Sequence, residues 1–377
     1  MKITKVESVP VDRFLFVKIY TDEGIVGYGE SGAWGFLEPS ASAIDKFGRY
    51  LVGENPLTIE HHWQYMYRFS HFRGAAIMGA LSAIDIALWD IMGKYFGVPV
   101  HQLLGGKTRD RARVYYHVFG STKEELIDGV KNAKAEGFTA VGHLTPFLDE
   151  DRELPYFKTH ASKIRDAIDT VGMYRDAVGN SVDLCIEIHR RLTPAEAVVL
   201  ARGIEDFHPY FYEDPILPEN FDAMGLVANN ISVPIATGER LHSIHEFQML
   251  LSRGAVQYVR PDVCLAGGIT HTKKIAAIAE ANYVEVVPHN PLGPVSTAAC
   301  LQIAAAIPNF AIQEYPLGEL EPPKSEIVNK PLKLEDGFLL IPDAPGIGIE
   351  IVEGAEEKYP PIQREVNTRL HRDGSVF

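Results

Sequence analysis

From about residue 111 onward, short β-branched runs alternate with helical segments, and this alternation constrains the fold more than any other feature of the chain. RARVYYHV leads into a helix opening at Ser121, with TKEEL in its first turn. FTAVGHL leads into a helix near Ala161 to Val178, and VDLCIEIH into TPAEAVVLARGI. YFYEDP, VPIATGE, QYVRPD and YVEVVPH are each followed by a helical segment, and FAIQEY closes the series. Alternating strands and helices imply a parallel sheet, because parallel neighbours need a long crossover. Eight such units over about 200 residues fit a closed barrel better than a doubly wound sheet. No Gly-x-Gly-x-x-Gly follows the first strand, so a dinucleotide fold has little support.

The flanks have a different texture. Residues 1 to about 32 read as an antiparallel meander, with FLFVKIYT and IVGYGES as strands around the turn DEG. Residues 40 to 104 read as helical, and AIMGALSAIDIALWDIMGKYFG is stopped by Gly97 and Pro99. The tail, DGFLLIPDAPGIGIEI, returns to strand and turn. The expected organisation is an α+β capping domain over 1–110, a barrel over 111–320 and a segment over 321–377 that returns to the cap. The most apolar stretch, Ala75 to Ile91, is interrupted by Asp85 and falls short of the ~20 residues that span a bilayer. With no signal-peptide pattern at the N-terminus, a soluble cytoplasmic protein with no membrane partner is expected. Cys185, Cys264 and Cys300 lie far apart in apolar runs and read as buried free thiols.

The residues ending those strands carry the chemistry. Glu187, Glu213 and Glu239 follow one another at 26-residue intervals; Asp262, His289 and Glu314 continue the series at 23, 27 and 25. Each interval is one strand–helix unit, so in a barrel all six point into the mouth at one face. Three carboxylates on three adjacent strands repel one another unless a cation sits among them, and all-oxygen donors suit a hard ion such as Mg²⁺. His189 follows Glu187 by two, so by strand alternation both face the interior. Asp262, on the strand before His289, can orient that imidazole and raise its basicity. The site then offers two histidines, one to take a proton and one to give one. His117, also at a strand end, is a weaker candidate. The remaining histidines read as structural, and no Gly-x-Ser-x-Gly supports serine chemistry.

The charge balance bears on the same site. With 36 basic and 50 acidic residues the formal net charge is −14, which leaves no cationic surface for nucleic acid. An anionic substrate therefore needs a local positive centre, which a bound cation supplies.

These motifs resemble the enolase superfamily in its mandelate racemase branch, and the resemblance covers nearly the whole chain. It is carried by AIDIALWDIMGK and VPVHQLLGG in the first domain, then by EIHRRLTPAEA, YEDPILPEN, PIATGERL, RPDVCLAGGIT, VVPHNPLGPV and IQEY. Within that branch it is most similar to the sugar-acid dehydratases of the galactonate and mannonate type. The resemblance implies an α/β fold, a modified TIM barrel (β/α)₇β with an N-terminal α+β capping domain. It implies Glu187, Glu213 and Glu239 as ligands of Mg²⁺, His289 with Asp262 as general base, and His189 as general acid. It also implies that Glu314 hydrogen-bonds the substrate carboxylate and enolate.

Two departures stand out. The first ligand in galactonate dehydratases is usually aspartate, and here it is Glu187. Many racemases of the branch carry Lys-x-Lys where this chain has Gly142-His143-Leu144, so the lysine base is missing. By alternation His143 faces away from the mouth. The expected activity is a Mg²⁺-dependent hydro-lyase that removes water from an aldonic acid of the D-galactonate, D-mannonate or D-gluconate type. An epimerase, racemase or cycloisomerase working on an acid sugar in the same site is the alternative, and a non-catalytic binding protein is the alternative of another class. The expected partners are a small acid sugar and, by general symmetry, further copies of the chain in a homo-oligomer. Substrate choice is expected in the cap, near Gly29 to Phe36 with Trp34 and around Arg68 to Gly74.

Overall fold

Three strands fold the first 31 residues into an antiparallel meander whose central strand is buried on both faces. Strand Phe14–Thr21 sits in the middle, between Ile3–Val11 and Val26–Ser31. The computed structural model describes residues 1–147 and 154–376. The chain divides into two compact units. One comprises Met1–Arg113, Glu239–Gln248 and Arg260–Arg364; the other comprises Val114–Gly238, Met249–Val259 and Glu365–Phe377.

In the first unit, the meander packs on helix Ala75–Phe96, which Gly97 ends in a left-handed cap. The packing is close because Gly27 and Gly29 lie on one face of their strand. A Cβ on either would overlap the carbonyl oxygens of Ala87 and Ala83, one helical turn apart. The helix runs 22 residues and ends at Gly97 as expected, but its apolar character extends beyond the Ala75–Ile91 stretch, which alone is too short to span a bilayer. By length and composition it is apolar enough to cross a membrane, and its apolarity is used here in burial. Its two carboxylates are buried and fully engaged. Asp85 accepts hydrogen bonds from Thr270 N and Oγ1 at the start of helix Gly268–Ala281, where the helix dipole favours negative charge. Burial nevertheless pushes Asp85 up to about 7. Asp90 pairs with Lys94 at 2.9 Å and accepts from Tyr28 N and Ile347 N. The segment around Gly346 bridges Pro99 in the same unit. This unit also holds strands Glu285–Val286 and Gln313–Tyr315 with helix Pro294–Ala306.

In the second unit the strands run parallel. Arg111–His117, Ala140–Leu144, Asp183–Glu187, Phe211–Glu213, Ile235–Thr237 and Tyr258–Val259 pair in sequence order. Helices Lys123–Ala135, His160–Val178, Pro194–Ile204 and Phe221–Ala228 connect the first five of them. The first begins two residues after Ser121, because the Thr122 side chain caps it by accepting from Glu125 N. Thr193 and Glu196 form a full capping box that fixes the start of the third. All eight strand candidates are present, each shorter than the apolar run that announced it. The three cysteines are free and buried.

Gly29→Ala is expected to destabilise the protein by about 3 kcal/mol or more, through overpacking against a backbone carbonyl that has nowhere to move. Urea denaturation followed by circular dichroism checks this.

Candidate active site

In the second unit the register Cys185↔Phe211, Ile186↔Tyr212 sets Glu187 directly opposite Glu213. Each is only 2 % exposed. The strand ends at Glu187, and the backbone then turns left-handed, with φ of 54° at His189 and 65° at Arg190. Conformations of this kind are costly for non-glycine residues and persist where surrounding contacts hold them. Here His189 N donates to Glu187 Oε1 at 2.6 Å, Ile188 N to Glu213 O, and Arg190 N to Asp214 O at 2.8 Å. The Arg190 guanidinium grips Asp214 Oδ2 at 2.7 Å, and Thr237 Oγ1 donates to Asp214 Oδ1. The turn therefore brings His189 beside Glu187, where strand alternation alone does not apply.

His143 departs from the expectation that it faces away. The pairing of Ala140–Leu144 with Asp183–Glu187 shifts register between Val141 and Leu144, and His143 has φ 56°. Such an irregularity re-aims the side chain that alternation assigns to the far face. The His143 ring lies 4.7 Å from that of His189, edge to face, and 5.1 Å from buried His117. Ligand atoms of His143, Glu187 and His189 fall within 4.8 Å of one another. His143 and His189 line a cavity of about 760 Å³ together with Thr145, Arg191 and residues 367–370. That size and mixed polarity suit a small polar ligand. Sequence reading missed Arg191 and the C-terminal wall, because no local pattern links residues about 180 positions apart.

The first unit holds the remaining four residues. Asp262 and His289 form a parallel bridge, and His289 Nδ1 lies 2.9 Å from Asp262 Oδ2. Cys264 N donates to the other Asp262 oxygen at 2.8 Å, which fixes the carboxylate. His289 Nε2 lies 3.4 Å from Glu239 Oε2. Glu239 itself follows strand Ile235–Thr237 by two residues. Burial acts to lower His289, but the charges of Glu239 and Glu314 and the bond to Asp262 outweigh it and raise the imidazole to about 9. Glu314 Oε2 accepts from Arg260 at 2.5 Å and from Asn290 N at 2.7 Å. Arg260, in the RPD run, is a buried cation that sequence reading passed over.

Two side chains of the expected cap loops have contacts within the first unit. Trp34 is half exposed, not a core residue, and stacks under the Arg364 guanidinium at 4.0 Å. Arg73 donates to Tyr67 O and Ser70 O.

The chain resembles known proteins along its length. Residues 2–105 match the mandelate racemase / muconate lactonizing enzyme N-terminal domain, and residues 127–355 match the enolase C-terminal domain-like family. The chain is 37 % identical over 386 residues to the D-galactonate dehydratase of Verminephrobacter eiseniae (strain EF01-2), covering 100 % of this chain and 99 % of the relative. It is 38 % identical to the D-galactonate dehydratase of Ralstonia pickettii (strain 12J), with the same coverage. An enolase from Agrobacterium radiobacter, crystallised with Na and L-malate, superposes with a TM-score of 0.93 at 31 % identity, over 100 % of this chain and 99 % of that one. The fold class is therefore an N-terminal capping domain followed by a barrel-type C-terminal domain.

In metal-free protein, His289 titrates near pH 9 and Asp262→Asn moves it down toward the ordinary ~6.5 of histidine. The sign follows from losing a hydrogen-bonded negative charge that favours the protonated ring. Imidazole carbon–proton NMR shifts followed against pH check this.

Proposed function

The chain belongs to the mandelate racemase / muconate lactonizing enzyme family of the enolase superfamily, and on that premise we propose that it is a Mg²⁺-dependent sugar-acid dehydratase. The proposed reaction removes water from an aldonic acid of the D-galactonate, D-mannonate or D-gluconate type and yields a 2-keto-3-deoxy acid. The observation that carries the reading is the Asp262–His289 pair, an oriented base.

The proposed metal ligands are Glu187, Glu213 and Glu239. The donor set fits the ion: Glu187 and Glu213 are buried carboxylates in direct register, and such hard oxygen ligands suit Mg²⁺ over softer metals. A divalent cation held there supplies the positive charge that stabilises an enolate beside a carboxylate. Enolase-superfamily sites in general combine a lysine or histidine base with magnesium in this way.

The chain's own residues then divide the proton work. Asp262 accepts from Nδ1 of His289, which leaves Nε2 as the basic atom, and Nε2 takes the C2 proton. The electrons of the C2–H bond pass into the substrate carboxylate as an enolate, and return to form the C2–C3 double bond as the C3 hydroxyl departs. His189, protonated, gives its proton to the C3 hydroxyl, so the C3–O bond breaks and the oxygen leaves as water, since hydroxide is a poor leaving group. The resulting enol ketonises to the 2-keto-3-deoxy acid. Glu314, held by Arg260 and Asn290 N, would have to carry a proton in the substrate complex to donate to the substrate carboxylate and enolate, since two ionised carboxylates both only accept. Glu239 is one source of the raised His289 affinity for protons; with its charge taken up as a ligand, His289 serves as base nearer neutral pH.

An epimerase is the second reading, favoured by one observation: His143 turned toward His189 puts a second imidazole in the cavity.

Acid sugars incubated with protein and Mg²⁺ are expected to form 2-keto acid, read as the semicarbazone. Chelation by EDTA abolishes the signal and added Mg²⁺ restores it. His189→Asn is expected to lose at least about 100-fold in dehydration, the scale of a positioned acid, while C2 proton exchange in D₂O persists by NMR. Full dehydration in that variant would falsify the acid role. Exchange without elimination in the wild type indicates the epimerase, and no exchange with any acid sugar indicates a binding protein.

A further inference from the structure

The C-terminal residues form a small clamp whose construction the proposed chemistry does not use. Leu370 and Val376 pair antiparallel around a turn at Asp373–Gly374, where Gly374 has φ 88°. His371 N donates to Ser375 O at 2.7 Å, which closes the hairpin. The hairpin is docked on a second segment of the same unit. Tyr156 bridges His371 in parallel, with Tyr156 N donating to Leu370 O at 2.8 Å and Arg372 N to Tyr156 O at 3.0 Å. Arg369 is fixed twice: its Nε donates to Leu154 O at 2.9 Å, and its guanidinium lies 5.3 Å from the Tyr156 ring centre. A flexible terminus would need none of this. These backbone hydrogen bonds, the Arg369 bond to Leu154 and the cation–π contact hold Arg369 and Leu370 in one place. That place is the wall of the cavity lined by His143 and His189.

The polar groups of that wall have a definite chemistry. Asn367 and Thr368 offer amide and hydroxyl groups, and Arg369 and Arg191 offer planar forks of N–H donors. Thr145 adds a further hydroxyl. Such a set matches a chain of neighbouring hydroxyls, each an acceptor and a donor, and the apolar lining residues Val118, Phe119, Leu126, Leu154 and Pro155 suit the C–H faces of the same chain. In the proposed reading the carboxylate end of an acid sugar belongs with the cation beside Glu187 and Glu213, and His189 acts at C3, so what remains to be held beyond His189 is the polyhydroxy tail from C4 outward.

We infer that residues 367–370, with Arg369 as the principal donor and Arg191 beside it, form the subsite that binds the polyhydroxylated tail of the substrate and make Arg369 a specificity-determining residue. This rests on the reading of His189 as the acid that works on the same ligand. It adds the C-terminus to the cap loops as a source of substrate choice.

The test compares two acids that share C1 to C3, configuration included, and differ in the tail: D-galactonate, with six carbons, and L-threonate, with four. In wild-type protein with Mg²⁺, D-galactonate is expected to have the lower KM. Arg369→Ala is expected to raise that KM about 10- to 100-fold, the range for losing hydrogen bonds to a charged group. It leaves kcat within a few-fold and L-threonate unchanged. Arg369→Lys, which keeps the charge but not the fork, recovers part of the loss. Unchanged hydrogen exchange at Tyr156 N and Arg372 N in Arg369→Ala shows that the clamp has not come apart without the Arg369 contacts, and Ser375→Ala, at the hairpin's closing end, serves as a control that leaves both acids unaffected. Equal losses on the two acids, or no change in KM for D-galactonate, overturn the proposal. Calorimetric binding of both acids reads the subsite without turnover, so a failed dehydratase reading leaves it measurable. Tighter binding of D-galactonate that Arg369→Ala removes supports the subsite; equal binding of the two acids by wild-type protein overturns it.

Discussion

Two glutamates locked side by side at the ends of neighbouring parallel strands, Glu187 and Glu213, impose the constraint from which the rest of the site follows. Buried like charges repel, and the repulsion is costly in a low-dielectric interior unless positive charge is brought to them. The surrounding structure is organised around that problem. Glu187 Oε1 accepts from the His189 backbone, which draws the chain into a left-handed turn. Arg190 is engaged by Asp214. What the pair then suits is a hard cation, and the chain's negative balance makes sense as the means of collecting one.

The acid and base of the proposed reaction are built by different means. His289 is set by conventional pairing: a bridge to Asp262, a carboxylate pinned by Cys264 N, and an imidazole raised by the charges around it. His189 is set by backbone strain, past the end of its strand, where a turn of positive φ aims it beside Glu187 and His143. Strain of this kind is kept only where the neighbours over-determine it. The hydrogen bonds of residues 188–190 to Glu213, Glu187 and Asp214 supply that support.

Much of this was legible in the sequence, for a physical reason. A strand–helix unit has a nearly fixed length, so strand-end residues recur about every 25 positions, and Glu187, Glu213, Glu239, Asp262, His289 and Glu314 stand out in phase. Elements bounded by strong stop signals were legible too, as with Gly97 after the long helix. Period-two reasoning failed where the backbone left the strand conformation. It turned His143 the wrong way across a register shift, and it reached the right neighbourhood for His189 by an argument that ends at Glu187. Arg260 beneath Glu314 and the wall at 367–370 were invisible, because both depend on contacts between segments distant in sequence.

Everything proposed for the site rests on Glu187, Glu213 and Glu239 together holding one divalent cation. A crystal structure of the protein grown with Mn²⁺, with data collected at an energy where manganese scatters anomalously, tests this most directly. One strong anomalous peak per chain, ligated by all three glutamates, is expected. No peak, or a peak ligated by other residues such as His143 and His189, contradicts it.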